Sequence, residues 1–285
     1  MTKISAVVCG RNDNYGGHLV ERATYCFKSL LETFDEVIYV DWNTQENKEP
    51  LTSCLNIVDK SKLNVIVVTP EKVHELTNGV KTQPMCEVLT RNIGIRRATG
   101  DYIVSTNIDV ITPERYLVDK LLEKIRPHEM ITLAKQDVEL SDLDKHFKNG
   151  FDPKVMPILF GLWPIQKRLM SPYLTINKDL LEKFPENSHH TLASIICACG
   201  DFQIAHRDTW WGIRGFEETM NKRSYADTAV QYKVLMNNGI VSASNFPPLY
   251  HIEHERDNNP NLQNSIEMNK KTKNLETWGF SHVEL

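Results

Sequence analysis

Asn107-Ile108-Asp109 closes the apolar run at 101–105, and a carboxylate in that position can hold a divalent cation against a diphosphate. Hard oxygen ligands suit Mg2+ or Mn2+, and such an ion neutralises charge on a leaving group. Asp and Asn after a strand equally make a plain turn. His251-Ile252-Glu253-His254 sets two imidazoles three residues apart. They can share a metal and, with Asp109, would make a mixed nitrogen–oxygen site suited to Mn2+; the competing reading is two hydrogen-bonded or surface histidines. Asp227, in SYADTAVQYKVL, falls at a helix start, where the helix end favours its ionised form. It is either a helix-start acid or a general base that deprotonates a hydroxyl. Gly200-Asp201-Phe202 and Gly215-Phe216-Glu217-Glu218 bracket a short strand and turn, so Asp201 and Glu217 are candidates for the floor and rim of an acceptor pocket, against the alternative of two glycine turns. Trp210 and Trp211 have faces that can stack on a sugar ring, but D-T-W-W-G-I also fits core packing. At most one, taken as Trp211, makes such a contact.

These groups need a scaffold. Ile4–Cys9 is a short β-branched run, followed by a glycine-containing loop from Arg11 to Gly17 and a helical pattern through Leu19, Ala23, Phe27, Leu30 and Leu31. Glu36–Val40 reads as a second strand, Leu63–Thr69 as a third stopped by Pro70, residues 85–98 as a helix ended at Gly100, and Asp101–Ser105 as a fourth strand. Alternation of this kind implies a parallel sheet with right-handed crossovers, which binds ligands at the carboxyl ends of its strands. The residues after these strands, Arg11-Asn12-Asp13, Asp41-Trp42-Asn43 and Asn107-Ile108-Asp109, would converge on that edge. From about 140 to 190 the pattern weakens, and a less regular, mobile segment is expected. A helix from about Tyr225 to Met236 restores order before PPLYHIEHERDNNP and a polar tail. With no visible linker, the expectation is one domain over 1–285, with residues 1–115 and 116–285 as its two halves.

The chain carries 33 basic against 37 acidic residues, a net charge of −4, which argues against a general nucleic-acid or anionic-membrane binder. Apolar residues at 41% and charged residues at 25% are values of a globular protein. The N-terminal apolar run is too short for a secretory or membrane segment, and VMPILFGLWPI is broken by two prolines. The expectation is a cytoplasmic protein without a transmembrane segment, peripheral membrane contact being left open. The cysteines are scattered through apolar contexts; Cys197 and Cys199 form a C-A-C pair that no second pair completes into a zinc set.

Taken in order, these pieces resemble the GT-A-fold glycosyltransferases. RNIGIRRATGDYIVSTNID is similar to the segment leading into the D-x-D motif of family-2-like members. DFQIAHRDTWWGIRGFEE followed by ADTAVQYKVL resembles the galactosyltransferase-type C-terminal region, where G-G-F precedes an E-D motif. HIEHERDNNPN is similar to the metal-binding H-S-R-D-type segment of β-1,4-galactosyltransferases. The segments cover roughly half the chain, each moderately specific and together in the family's order.

The resemblance implies an α/β GT-A-like (Rossmann-like) fold, a mostly parallel sheet flanked by helices, with a nucleotide-sugar-binding first half and an acceptor-binding, catalytic second half. It implies an inverting, metal-dependent hexosyltransferase that takes a sugar from a nucleoside-diphosphate sugar, UDP-linked by preference, to a hydroxyl of a glycan or other acceptor. Asp109 would be the metal ligand for Mn2+ (or Mg2+), His254 the metal-binding histidine and His251 a second ligand. Arg11, Asn12 and Asp41 match nucleotide contacts, Arg91 lies in the segment that approaches the diphosphate, and Asp227 matches the catalytic base. By its position next to Asp41, Trp42 would flank the nucleobase, against the alternative of core packing. Two departures stand out: Asn107 replaces the first acid of D-x-D, and Ala226 replaces the glutamate of E-D. They leave room for a catalytically silent nucleotide- or glycan-binding protein. A nucleotidyltransferase is the other competitor, although the loop RNDNYGG lacks the lysine such enzymes place after strand one.

Overall fold

The computed structural model describes residues 2–80, 84–147, 150–156, 159, 173–183, 200–220, 226–255 and 274–285. Strands β1 (Ile4–Gly10) and β2 (Glu36–Trp42) are buried along their whole length, as strands covered on both faces must be. Side chains alternate between two cores. Val7, Ile38 and Val40 pack on one side with helices α4 (Glu87–Arg97), α8 (Arg207–Ile213) and α9 (Ala226–Met236). Ala6, Val8, Val37 and Tyr39 face the other, against α1 (Leu19–Thr33) and α5 (Arg115–Leu122). The remaining helices are α2 (Leu51–Cys54), α3 (Pro70–Leu76), α6 (Leu140–His146) and α7 (Lys178–Leu181).

The other strands are β3 (Leu63–Val68), β4 (Tyr102–Thr106), β5 (Val110–Ile111), β6 (Glu129–Val138), β7 (Tyr173–Asn177), β8 (Phe202–His206) and β9 (Ile240–Ile252). One sheet holds all nine in the order β3-β2-β1-β4-β8-β6-β9-β5, with β7 also on β9. The β3-β2-β1-β4 block is parallel, as the sequence predicts; β8 then runs antiparallel between β4 and β6, and β9 runs parallel to β6.

Registers bring the site together. Thr106 pairs with Phe202, which sets Asn107 opposite Asp201. Val110 pairs with His251, and the Ile252 amide donates to the Asp109 carbonyl at 2.8 Å. Asp137 pairs with the same His251 from the other side. The β6–β9 ladder is irregular: Leu133 pairs with Ser244 but Lys135 with Leu249, two steps on one strand against five on the other. The sequence reading misses both strands: in β9 the prolines of IVSASNFPPLYHI read against a strand interior, and in β6 the stretch EMITLAKQDV is assigned to no element. In the weakly patterned 140–190 stretch, 140–147, 150–156, 159 and 173–183 are described and contain α6, a turn of 3-10 helix at Pro153–Val155, β7 and α7; the expected irregularity elsewhere, Tyr225, Cys197 and Cys199 lie outside the described residues.

Candidate metal and nucleotide site

A cavity of about 260 Å³ opens where the carboxyl ends of β1, β4, β6 and β9 meet the start of β8. Asp109, His251 and His254 stand on its wall with one potential ligand atom each, all within 4.8 Å of one another. The imidazoles present the same nitrogen inward. His251 Nδ1 bonds the Asp137 carboxylate at 2.8 Å, and His254 Nδ1 bonds the Glu255 carbonyl at 2.7 Å. Both partners accept, so each Nδ1 carries a hydrogen and both Nε2 atoms turn towards Asp109. His254 Nε2 is 2.9 Å from Asp109 Oδ2, and His251 Nε2 is 3.8 Å from Oδ1. Asp109 Oδ1 is buried and accepts no hydrogen bond among the described residues.

Two imidazole nitrogens and a carboxylate that converge in this way can share a divalent cation, which would displace the proton that His254 Nε2 donates to Asp109. Two neutral imidazoles and one hard oxygen match the donor set that Mn2+ accepts. Electrostatics agrees: burial pushes the Asp109 carboxyl up, but the His254 bond and the nearby His251, His254 and Arg22 hold it below its usual value. Burial lowers His251, so it stays neutral, the form a metal ligand must have.

Arg22 closes the site from behind. Its guanidinium, fully buried on α1, donates to Asp109 Oδ2 at 3.1 Å, to the Gly17 carbonyl at 3.0 Å, and to the Tyr15 carbonyl. It therefore ties the 11–18 loop to the Asp109–His251–His254 cluster. Tyr15 meets the His254 ring edge-on at 5.3 Å, and at Gly16, where φ is +70°, a β-carbon would collide with that ring. The sequence reading misses Arg22. Its signal was a charged residue three after Leu19 and four before Cys26, on the apolar stripe of α1.

The other end of the 107–109 turn is differently satisfied. Arg91, buried on α4, donates to Ser105 Oγ at 2.6 Å and to Asn107 Oδ1, and Asn107 Nδ2 donates to Asp201. Lys135 bridges Asp201 at 3.0 Å and Asp137 at 3.7 Å. This explains Asn107: an acid there would set a second carboxylate against Asp201. Lys135 and Asp137 are also missed by the sequence reading, since β6 is missed.

Of the predicted nucleotide contacts, Arg11, Arg91 and Asn107 line the cavity. Arg11 pairs with Asp13 at 3.2 Å. Asn12 and Asp41 do not line it; their polar atoms hold the 43–51 loop instead. The Asn12 side chain donates to the Glu49 carbonyl at 2.9 Å and its amide to Thr44 Oγ1 at 2.9 Å, while fully buried Asp41 accepts from Thr44 Oγ1 and the Leu51 amide. Trp42 is wholly buried in the core.

The predicted acceptor contacts separate. Asp201 lines the cavity. Trp211 does not: it packs edge-on against Trp278 at 5.4 Å, with Arg96 and Arg207 over its ring, and Trp210 is core, its Nε1 donating to the Ile103 carbonyl at 3.0 Å. Core packing thus accounts for both tryptophans. Glu217 is buried in its own turn, accepting from the Thr219 amide at 3.2 Å and hydroxyl at 2.9 Å. Asp227 opens α9 with its side chain against Gly200, the residue before Asp201. Burial and the nearby Asp201 charge raise its carboxyl above the ordinary value, while Arg91 pulls it down. Ala226, in the place of the motif's glutamate, packs against the core.

Solved structures share this architecture. The chain superposes on TarS residues 1–349 from S. aureus in complex with UDP-GlcNAc with a TM-score of 0.54 and 16% identity, over 90% of this chain and 60% of that one. For mannosyltransferase PcManGT from Pyrobaculum calidifontis in complex with GDP-Man and Mn2+ the TM-score is 0.50 and the identity 12%, over 90% and 58%. For GalNAc-T7 with UDP, GalNAc and Mn2+ they are 0.51 and 11%, over 91% and 45%. The chain thus spans less than two thirds of the length of each. No protein-family model and no curated protein matches the sequence. No helix among the described residues is long and apolar enough to cross a membrane. On strand order, site position and these superpositions, the chain has the GT-A glycosyltransferase fold.

Proposed function

We propose that the chain is a metal-dependent, inverting glycosyltransferase that moves a hexose from a nucleoside-diphosphate sugar, UDP-linked by preference, to a hydroxyl of a glycan or other acceptor. The observation that carries the reading is the Asp109–His251–His254 cluster, with two imidazole nitrogens and a carboxylate oxygen without a described partner converging at the strand-end edge of a GT-A sheet. Charge supports metal dependence. The cavity lining holds three cations, Arg11, Arg91 and Lys135, against four carboxylates, Asp13, Glu87, Asp109 and Asp201, and gives a diphosphate no excess of positive charge. Mn2+ in two of the superposed structures, and UDP or a UDP-sugar in two, support the choice of ion and donor.

A divalent ion held by Asp109, His251 and His254 would neutralise charge developing on the departing diphosphate. Arg11, Arg91 and Asn107 are the donor-side contacts. Asp227 accepts the acceptor hydroxyl proton as that oxygen attacks the anomeric carbon, from the face opposite the leaving group, which inverts the configuration. Its raised affinity for a proton suits a base. Residues 1–115 supply most of the donor side and 116–285 the base, the histidines and the acceptor side, within one domain.

The test is thermal melting with UDP, GDP, CDP and dTDP, each with Mn2+ and with EDTA. At about 100 times Kd, ligand adds about 2.7 kcal/mol, a shift of about 5 °C at this size. One nucleotide that stabilises only with Mn2+ identifies the donor class; no shift with any of the four overturns the reading. Binding without turnover across an acceptor panel favours a silent nucleotide-binding protein instead.

A further inference from the structure

Asp137 belongs to none of the motifs that point to the site, yet it makes the bond that orients His251. Its Oδ1 lies 2.8 Å from His251 Nδ1, and the two residues are register partners on β6 and β9, so the pairing is fixed by the sheet. His251 itself is almost wholly buried, and its other nitrogen faces the orphaned Asp109 Oδ1 at 3.8 Å. An imidazole in that position has two tautomers. Only the one protonated on Nδ1 offers Nε2 as a ligand, and a carboxylate on Nδ1 selects it while adding electron density to the ring. We propose that Asp137 is a positioning residue for metal binding: its carboxylate locks His251 in the ligand tautomer and rotamer, although Asp137 does not touch the ion.

This inference rests on the metal site proposed above, and the experiment separates the two. Mn2+ is titrated into the full 285-residue chain, with and without UDP, and followed by the loss of the free-ion electron paramagnetic resonance signal. Loss of such an outer partner costs about 10–100-fold in metal affinity, so Asp137→Ala is expected to raise the Mn2+ Kd by that factor. Asp137→Glu should recover part of it. The Asp137 side chain is 43% exposed, so its removal leaves the fold standing. A second readout needs no metal. Nitrogen-15 spectra of histidine-labelled protein, with His251→Ala to assign the signal, should give His251 as the Nδ1–H tautomer in the parent chain and as a mixture in Asp137→Ala. An unchanged Mn2+ Kd or an unchanged tautomer in Asp137→Ala overturns the role of Asp137 and leaves the metal site intact. A parent chain that takes up no Mn2+ overturns both.

Discussion

The two ends of the turn at 107–109 are two residues apart and are wired in opposite ways. At Asn107 every polar atom named is met from inside the protein: Arg91 donates to its oxygen and its nitrogen donates to Asp201, which Lys135 neutralises. At Asp109 the protein stops short, with one oxygen unbonded and two imidazole nitrogens turned towards the carboxylate. Buried polar groups are nearly always satisfied, so an unsatisfied carboxylate oxygen beside two inward-facing imidazoles is a place that a cation can fill. The departure from a two-acid motif is therefore no simple loss. The first position has become part of the frame, and the second keeps an oxygen that no described residue bonds.

Removing the open end should do most damage. Asp109→Ala is expected to abolish metal-dependent nucleotide binding and to cut transfer by about 10⁴-fold, as the loss of several kcal/mol of charge stabilisation requires. Metal-dependent binding that persists would place the metal site elsewhere. Asp227→Asn, beyond the closed end, should lower kcat by about 10³-fold while nucleotide affinity stays within about twofold. The same carboxylate sets a pH limb. Because its proton is held above the ordinary value of 3.8, the ionised base is lost sooner as pH falls, and kcat should decline on the acid side at a pH above that of a free aspartate. A profile flat down to that pH removes Asp227 as the base.

Asn107→Asp puts a carboxylate against Asp201 and should cost about 2 kcal/mol, seen as a melting point lower by about 4 °C. An unchanged melt with tighter Mn2+ binding would make both ends ligands. The smallest effect separates neighbouring glycines. Gly16→Ala and Gly17→Ala both meet positive φ, of +70° and +73°, and each should cost about 1 kcal/mol. Only the first drives a methyl into His254, so only Gly16→Ala should also weaken Mn2+ binding. Equal Mn2+ affinities would separate the 11–18 loop from the metal cluster.

The parallel block was legible because its strands are short apolar runs with breakers between them: Leu19–Thr33 and Glu87–Arg97 fall where the helical patterns at 19–31 and 85–98 put them. Asp109, His251 and His254 were legible as a set through motif order, and the fold brings them together. What stayed hidden has one cause. A residue type at a strand end does not say which way its polar atoms are spent. Asn12 and Asp41 sit at the expected edge but spend theirs on the 43–51 loop, and Trp211 spends its faces on Trp278 and arginines. Conversely Lys135 and Asp137 lie on β6, in a stretch that matches no motif, so nothing local marked them.

The uneven ladder between β6 and β9 has a consequence of parity. Side chains change face at each step along a strand, so five steps against two leave an odd surplus of three. Ser244 and Leu249, which an unbroken strand would point to opposite faces, pair with Leu133 and Lys135, which share one face. His251 inherits this reversal and so lies on the same face as Asp137. Shortening the 245–248 stretch by two residues would preserve the phase. Shortening it by three would leave two steps on each strand, a regular ladder that needs no reversal and still pairs His251 with Asp137, so the pairing at 137 and 251, not the length of this stretch, fixes the face that His251 takes.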